Sequence, residues 1–196
     1  MAEHYFSENP NSHEKIREFE AFIRGIKFRF RSGSSVFSKS GIDAGTKLLA
    51  EKCIIRPGWK VLDMGCGYGP IGVMAAYLGA DVVMADINRR ALQLAAENVL
   101  LNGVKAKTVL SNAYEHIADS DFDTILINPP EKAGLEVCIG MVRDAPAHLK
   151  TGGFLQIVSR NRVAGKRLSS EMKAAFGNCE EIARRGDFSV YASVKR

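Results

Sequence analysis

The run Val61-Leu62-Asp63-Met64-Gly65-Cys66-Gly67-Tyr68-Gly69 is a buried-strand pattern carrying an aspartate that opens directly into three glycines spaced G-x-G-x-G. Glycines at such a turn let backbone approach a ligand, because they lack a Cβ and reach left-handed conformations freely. Position 70 is proline where a dinucleotide fingerprint has its third glycine, so the pyrophosphate signature is not met. A cofactor without pyrophosphate, but with a ribose, an adenine and an amino-acid tail, still needs a close backbone and a strand-end carboxylate. S-adenosylmethionine is such a cofactor.

Asp86 ends the next apolar run, about twenty residues on, the spacing at which a carboxylate meets ribose hydroxyls. The same aspartate could instead cap a helix from Asn88 onward. Asn112 in Ser111-Asn112-Ala113 follows a third apolar run, where it could meet adenine or simply form a turn. Asp63, Gly65, Cys66, Gly67, Gly69, Asp86, Ile87, Asn112 and Ala113 are therefore the cofactor-lining candidates.

Asn128-Pro129-Pro130 follows the apolar run Phe122 to Ile127 and supplies a reaction type. Two prolines cannot continue a sheet, and the residue before proline is held extended, so the Asn128 amide is presented at a strand end. Its carbonyl and the backbone carbonyl of Pro129 can accept hydrogen bonds from an amino group and aim the nitrogen lone pair at a methyl donor. Positioning supplies most of the acceleration in such a displacement. Asn128, Pro129 and Pro130 are the candidate catalytic residues.

These residues need a frame, and the chain from Trp59 onward alternates apolar runs with amphipathic segments, the signature of a parallel sheet covered by helices. Strands are expected near 59–63, 81–85, 106–110, 122–127, 153–158, 179–184 and 188–194. A helix over 88–101 has an apolar face of Ala91, Leu92, Leu94, Ala95, Ala96 and Val99, with Asn102-Gly103 as its stop. Shorter helices are expected from Pro70 to Gly79 and over 44–53. The turn at Arg185-Gly186-Asp187 is too short for a helical crossover, so the last two strands are antiparallel. Upstream, Lys27-Phe28-Arg29-Phe30-Arg31 alternates as a strand burying phenylalanines on one face and showing cations on the other.

The 196 residues, 46% of them hydrophobic, suit one well-buried domain. The expected division is an N-terminal extension with short strands over 1–43 and a catalytic domain over 44–196. No apolar stretch reaches the roughly 18 residues of a membrane span, and no signal peptide opens the chain, which points to a cytoplasmic protein with no membrane partner. The four cysteines lie far apart without a C-x-x-C pair, and the four histidines have no metal spacing, so neither disulfides nor a metal are expected. The net charge of +5 is unevenly spread: residues 21–60 hold nine basic against two acidic groups, and residues 150–196 hold ten against four. A basic surface of this kind is either merely solvated or faces phosphates.

With these motifs in hand, the chain resembles the class I, S-adenosylmethionine-dependent methyltransferase small domain family, most closely its small-subunit rRNA guanine-N2 branch. Val36-Phe37-Ser38, Asp43-Ala44-Gly45-Thr46 and Leu48-Leu49 match the family's upstream signature. The resemblance implies a Rossmann-like α/β fold: a seven-stranded, mostly parallel sheet ending in an antiparallel hairpin, with helices on both faces. It implies that Thr46 lines the cofactor and that Phe37 and Asp43 line the substrate; the residue types alone allow Asp43 and Thr46 to be only a helix cap. It also implies an RNA partner, ribosomal RNA or the small subunit, docked on cations such as Arg24, Lys27, Arg29, Arg31, Arg160, Arg162, Lys166 and Arg167. Glu131 stands where many nucleobase enzymes carry a stacking aromatic ring. The rival readings are a glutamine-N5 protein methyltransferase, a small-molecule methyltransferase, and a cofactor- and RNA-binding module without turnover.

Overall fold

The computed structural model describes residues 16–33, 41–129, 134–160 and 163–196. Two strands, β1 (Arg17–Ile23) and β2 (Ile26–Ser32), precede α1 (Ala44–Lys52). The core then runs β3 (Lys60–Met64), α2 (Pro70–Tyr77), β4 (Asp81–Asp86), α3 (Arg89–Leu101), β5 (Lys107–Leu110), β6 (Phe122–Ile127) and α4 (Leu135–His148). It closes with β7 (Leu149–Arg160), α5 (Val163–Phe176), β8 (Glu180–Arg185) and β9 (Phe188–Val194).

β3 to β9 form one seven-stranded sheet in the order β5-β4-β3-β6-β7-β9-β8. β3, β4, β5, β6 and β7 are parallel, while β9 runs antiparallel to both β7 and β8. The expected fold class is therefore the observed one. The chain winds outward from β3 to β5 and then returns to place β6 on the other side of β3, so the topological switch point lies between β3 and β6. Ligands of open parallel sheets bind outside the strands' carboxyl ends at such a point. The register brings the chemistry there: Met64 pairs with Ala85 on one side and Ile127 on the other. Asp63, Asp86 and Asn128 thus converge on one edge from three separate stretches of sequence.

Local sequence explains the helix ends that build this edge. Gly69, at φ 90°, is the N-cap of α2, and Pro70 takes the first helical position, where its missing N–H costs nothing. Asn88 caps α3 by accepting from the Arg90 and Ala91 backbone N–H groups. Asp86 is therefore not the α3 cap; the cap falls two residues later, where the side chain reaches the free N–H groups.

The alternation at 27–31 is a strand as expected, with Phe28 and Phe30 buried. Its partner β1 comes from Arg17–Ile23, where glutamates interleave with apolar residues. Asn98 of α3 and Asn102 at its C-cap, one turn apart, cover the other edge of β2. Asn98 Oδ1 accepts from Arg31 N (2.7 Å) while its Nδ2 donates to Arg31 O (2.9 Å). Asn102 repeats the pattern on Arg29, at 3.0 and 2.7 Å. Each amide acts as a piece of strand and closes an edge that would otherwise offer unpaired backbone.

Several cations with an expected RNA role are occupied by this architecture. Arg24, at φ 53° in the hairpin turn, donates from Nε to Ala50 O (2.8 Å) and from its other guanidinium nitrogen to Cys53 O, satisfying carbonyls at the end of α1. Lys27 pairs with Glu20 (2.8 Å), and Arg31 with Glu18 (3.1 Å) and Glu97 (3.5 Å). The outer face of the hairpin is thus laced with both signs rather than basic. No helix among the described residues is long and apolar enough to cross a membrane.

Candidate active site

The glycine turn is held by β4. Gly65 N and Cys66 N both donate to Ala85 O, at 2.8 and 3.0 Å, and Gly67 N donates to Asp86 Oδ2 at 2.8 Å. The second Asp86 oxygen accepts from Asn88 N at 2.9 Å. Asp86 is buried and binds the turn on one side and the start of α3 on the other. A carboxylate offers about four lone-pair positions, so one side chain can hold donors from both loops at once.

Asp63, at the end of β3, is 1% exposed and accepts from Gly72 N at 2.8 Å, one of the N–H groups that the first turn of α2 leaves unpaired. Burial pushes its carboxyl up to about 7; the Gly72 bond works against that rise and the neighbouring Asp86 charge adds to it. Cys66 is buried with its thiol on Gly67 O (3.5 Å), and burial raises it well above the ordinary thiol range.

The three turn glycines do different work. Gly65 has φ 71°, and no atom stands within 4 Å of where a Cβ would be: the turn presents open space there. Gly67 has φ 57° and offers its N–H to Asp86. A Cβ on Gly69 would run into the Met84 methyl and press on Ala95, so its need for glycine comes from core packing and its left-handed φ, not from close approach to a ligand.

Ile87 is half-buried on the bend between Asp86 and Asn88. Asn112 is exposed and donates to Glu115 Oε1 (2.9 Å). Ala113 adopts φ 47°, rare for a non-glycine residue, and its carbonyl accepts from Ser111 Oγ at 2.7 Å. Such outliers persist where surrounding contacts impose them.

Asn128 and Thr46 meet across 82 residues of chain. Asn128 Nδ2 donates to Thr46 Oγ1 at 2.8 Å. Thr46 Oγ1 donates in turn to Asp43 Oδ2, and Thr46 N donates to Asp43 Oδ1 at 3.0 Å. Asp43 is the N-cap of α1, so the cap reading holds for this pair, and through Thr46 the cap also touches the amide after β6. Gly45 lets α1 sit close to β9: a Cβ there would press on the Phe188 ring at 3.1 Å. The Arg160 guanidinium lies over that ring, 5.4 Å from its centroid. Beside Pro129 a mostly apolar cleft of about 270 Å³ is lined by Leu135, Cys138, Ser159 and Leu168 among others. Phe37, Pro130, Glu131 and Arg162 lie outside the described residues.

Sequence reasoning missed Tyr68 and Asn98. Tyr68 is buried in the glycine turn, donates to Gly41 O (3.3 Å), and makes T-shaped ring contacts with Phe19 and Phe30 at centroid distances of 6.2 and 6.0 Å. Asn98, fully buried, donates to Tyr68 O (2.8 Å) as well as to β2. The hairpin, α3 and the glycine turn are thereby one packed unit. The hint in sequence was an asparagine on the apolar side of an amphipathic helix.

The model of the family described as "Methyltransferase small domain" matches residues 27–192. The chain belongs to the methyltransferase small domain family. Among family relatives, the uncharacterized protein YbxB of Bacillus subtilis is 31% identical over 202 residues, covering all of both chains. Ribosomal RNA small subunit methyltransferase C of Serratia proteamaculans is 34% identical over 171 residues, which are 82% of this chain and 47% of that protein. Among solved structures, the Thermus thermophilus 16S rRNA N2 methyltransferase RsmC, in complex with AdoMet and guanosine, superposes with a TM-score of 0.84 at 27% identity. That match covers 95% of this chain and 52% of the Thermus protein. The chain therefore spans about half the length of the rRNA methyltransferases it matches, and as a methyltransferase small domain it carries the glycine turn, Asp86 and the Asn-Pro-Pro segment within that half.

Proposed function

We propose that this chain is an S-adenosylmethionine-dependent N-methyltransferase that modifies an exocyclic amino group in RNA, guanine N2 of small-subunit rRNA being the target the relatives favour. The observation that carries this reading is the anchored Asn128 amide: with Nδ2 committed to Thr46, Oδ1 is the end left to receive an amino group.

The residues fit the cofactor. Gly65 leaves open space at the turn, and Asp63 and Asp86 put two carboxylates beside it, complementary to a cationic ligand with ribose hydroxyls. When bound, S-adenosylmethionine supplies a methyl on a positively charged sulfur that a nitrogen lone pair displaces in line. The protein's part is orientation. Asn128 Oδ1 and the Pro129 carbonyl accept the two N–H bonds of the substrate amino group and so turn its lone pair toward the methyl. Neither acceptor is a base; the methylated nitrogen gives up its surplus proton to solvent. Holding the reactants in such a geometry is worth up to roughly 7–11 kcal/mol of barrier.

RNA docks through phosphate contacts, which position without reading sequence. Arg160, at the carboxyl end of β7, and the exposed Lys166 on α5 stand on the same sheet edge as Asn128, and Arg167, paired with Glu136 at 3.2 Å, lies beside them. Single-turnover transfer to a small-subunit rRNA fragment, and to the same fragment with inosine in place of guanosine, tests the target group. Inosine lacks the N2 amino group and is expected to accept no methyl; equal labelling of both fragments would exclude guanine N2.

A further inference from the structure

We infer that Asp43 and Thr46 set the polarity of the Asn128 amide and are positioning residues for methyl transfer rather than cofactor or substrate ligands. The inference rests on the function proposed above and adds the device that makes Asn128 an acceptor. An asparagine amide has a carbonyl end and an NH2 end of nearly equal shape, and the hydrogen-bond network decides which end faces which neighbour. A free amide at the end of β6 would present either end to an incoming amino group. Presenting the NH2 end would set donor against donor.

The chain of bonds removes that freedom. Asp43 is a carboxylate and only accepts; both of its oxygens receive donors from Thr46, one from the backbone N–H and one from the hydroxyl. The hydroxyl has one hydrogen. Once this is given to Asp43, Thr46 Oγ1 has only lone pairs to offer, and what it meets at 2.8 Å must be a donor. Asn128 therefore turns Nδ2 toward Thr46 and Oδ1 away from it. The network is rigid at both ends: Asp43 begins α1, Thr46 is 8% exposed, and the residue after Asn128 is a buried proline that holds the backbone extended.

Asp43→Asn separates this role from helix capping. Asparagine caps a helix about as well as aspartate, and its Oδ1 can still take the Thr46 backbone N–H. Its NH2 then falls where the Asp43 oxygen received the hydroxyl and becomes a donor to Thr46 Oγ1. The hydroxyl hydrogen is released toward Asn128, which is now favoured with Oδ1 toward Thr46 and Nδ2 toward the substrate. Thr46→Val removes the hydroxyl and leaves the amide free to rotate, whereas Thr46→Ser keeps it.

The test is turnover together with a readout independent of substrate. In Asp43→Asn and Thr46→Val, kcat is expected to fall by roughly 10- to 100-fold, the scale of a misplaced reacting group, with cofactor Kd and Tm close to wild type; Thr46→Ser is expected to recover the greater part of kcat. In parallel, the Asn128 side-chain NH2 resonances, identified by their loss in Asn128→Asp, should shift in Asp43→Asn and Thr46→Val and stay near their wild-type positions in Thr46→Ser. Unmoved resonances, or wild-type kcat in Asp43→Asn, would overturn the inference. Shifted resonances in a protein whose wild type transfers no methyl would uphold the polarity relay and count against the proposed function instead.

Discussion

Asp86 accepts the Gly67 N–H at 2.8 Å, so the carboxylate ending β4 is bonded to the middle of the glycine turn that follows β3. With Asn88 N on its other oxygen at 2.9 Å, one buried side chain fixes both loops that border the candidate cofactor site. This changes what removal of Asp86 should do, because the turn loses its anchor along with any ribose contact.

Asp86→Ala is expected to weaken cofactor binding by roughly 10- to 100-fold and to lower Tm, since two backbone donors lose a charged acceptor worth about 1.5–3 kcal/mol each. Calorimetric titration with S-adenosylmethionine and a thermal melt of the free protein check the two parts. Unchanged affinity would remove Asp86 from the site.

Asn128→Ala has the opposite signature. Turnover should fall by about 100-fold or more, while cofactor affinity stays within about threefold, because in the proposed role the amide acts on the substrate amino group in the transition state. A parallel loss of both would mean that Asn128 supports the cofactor pocket.

What the sequence made legible follows from where the constraint is local. The Asp63 to Gly69 run, the Asn128-Pro129-Pro130 tripeptide, the Asn102-Gly103 stop and the short turn before β9 each declare themselves within a few residues, whereas the order of the strands in the sheet does not. β7 runs from Leu149 rather than 153 because it continues straight out of α4 with no loop between them. The relationships that tie the site together were not legible, since they are pairings between distant polar side chains: Asn128 with Thr46, Asn98 with Tyr68 and Arg31, Arg24 with the end of α1. Hydrophobic periodicity says which face of α3 is buried, but not that an asparagine on that face will substitute for a strand. Likewise, charge counting made Lys27 and Arg31 look available, and only the β1 pairing reveals the glutamates opposite them.

The buried Asp63 makes the stability of the cofactor-free protein depend on pH. Its carboxyl is raised from 3.8 to about 7 in the folded state, so between those values the folded chain holds a proton that the unfolded chain has released. The stabilisation from this group is full below about pH 4 and is lost as pH rises through 7. Thermal melts should therefore show Asp63→Asn flattening the decline in Tm between pH 5 and about pH 7.5. An unchanged slope would mean that Asp63 is ionised in the folded protein across that range.

Gly165 on α5 lies against the Arg160 carbonyl so closely that a Cβ would overlap it, and that Cβ would also stand 3.4 Å from the Tyr191 hydroxyl. Gly165→Ala should destabilise the fold by about 1–3 kcal/mol, the range for overpacking, because the obstruction is backbone and cannot rotate aside. Chemical denaturation measures it. Gly140, whose Cβ would meet nothing within 4 Å, is the matched control, and its alanine variant should be neutral or stabilising.

RNA affinity offers a check on the docking surface. Lys27→Ala with Arg31→Ala should change affinity by less than about twofold, because each cation is already paired with a carboxylate. Arg160→Ala with Lys166→Ala should weaken binding and reduce the salt slope by about 2 if both reach phosphates. The reverse pattern would move the RNA to the hairpin face.

The decisive experiment supplies labelled S-adenosylmethionine to total undermethylated RNA, to small ribosomal particles and to total protein in parallel, with nucleoside analysis of whatever RNA is labelled. Label is expected in N2-methylguanosine from RNA or particles and should be abolished by Asn128→Ala. Label confined to protein, or RNA label in any other nucleoside, would contradict the proposed function.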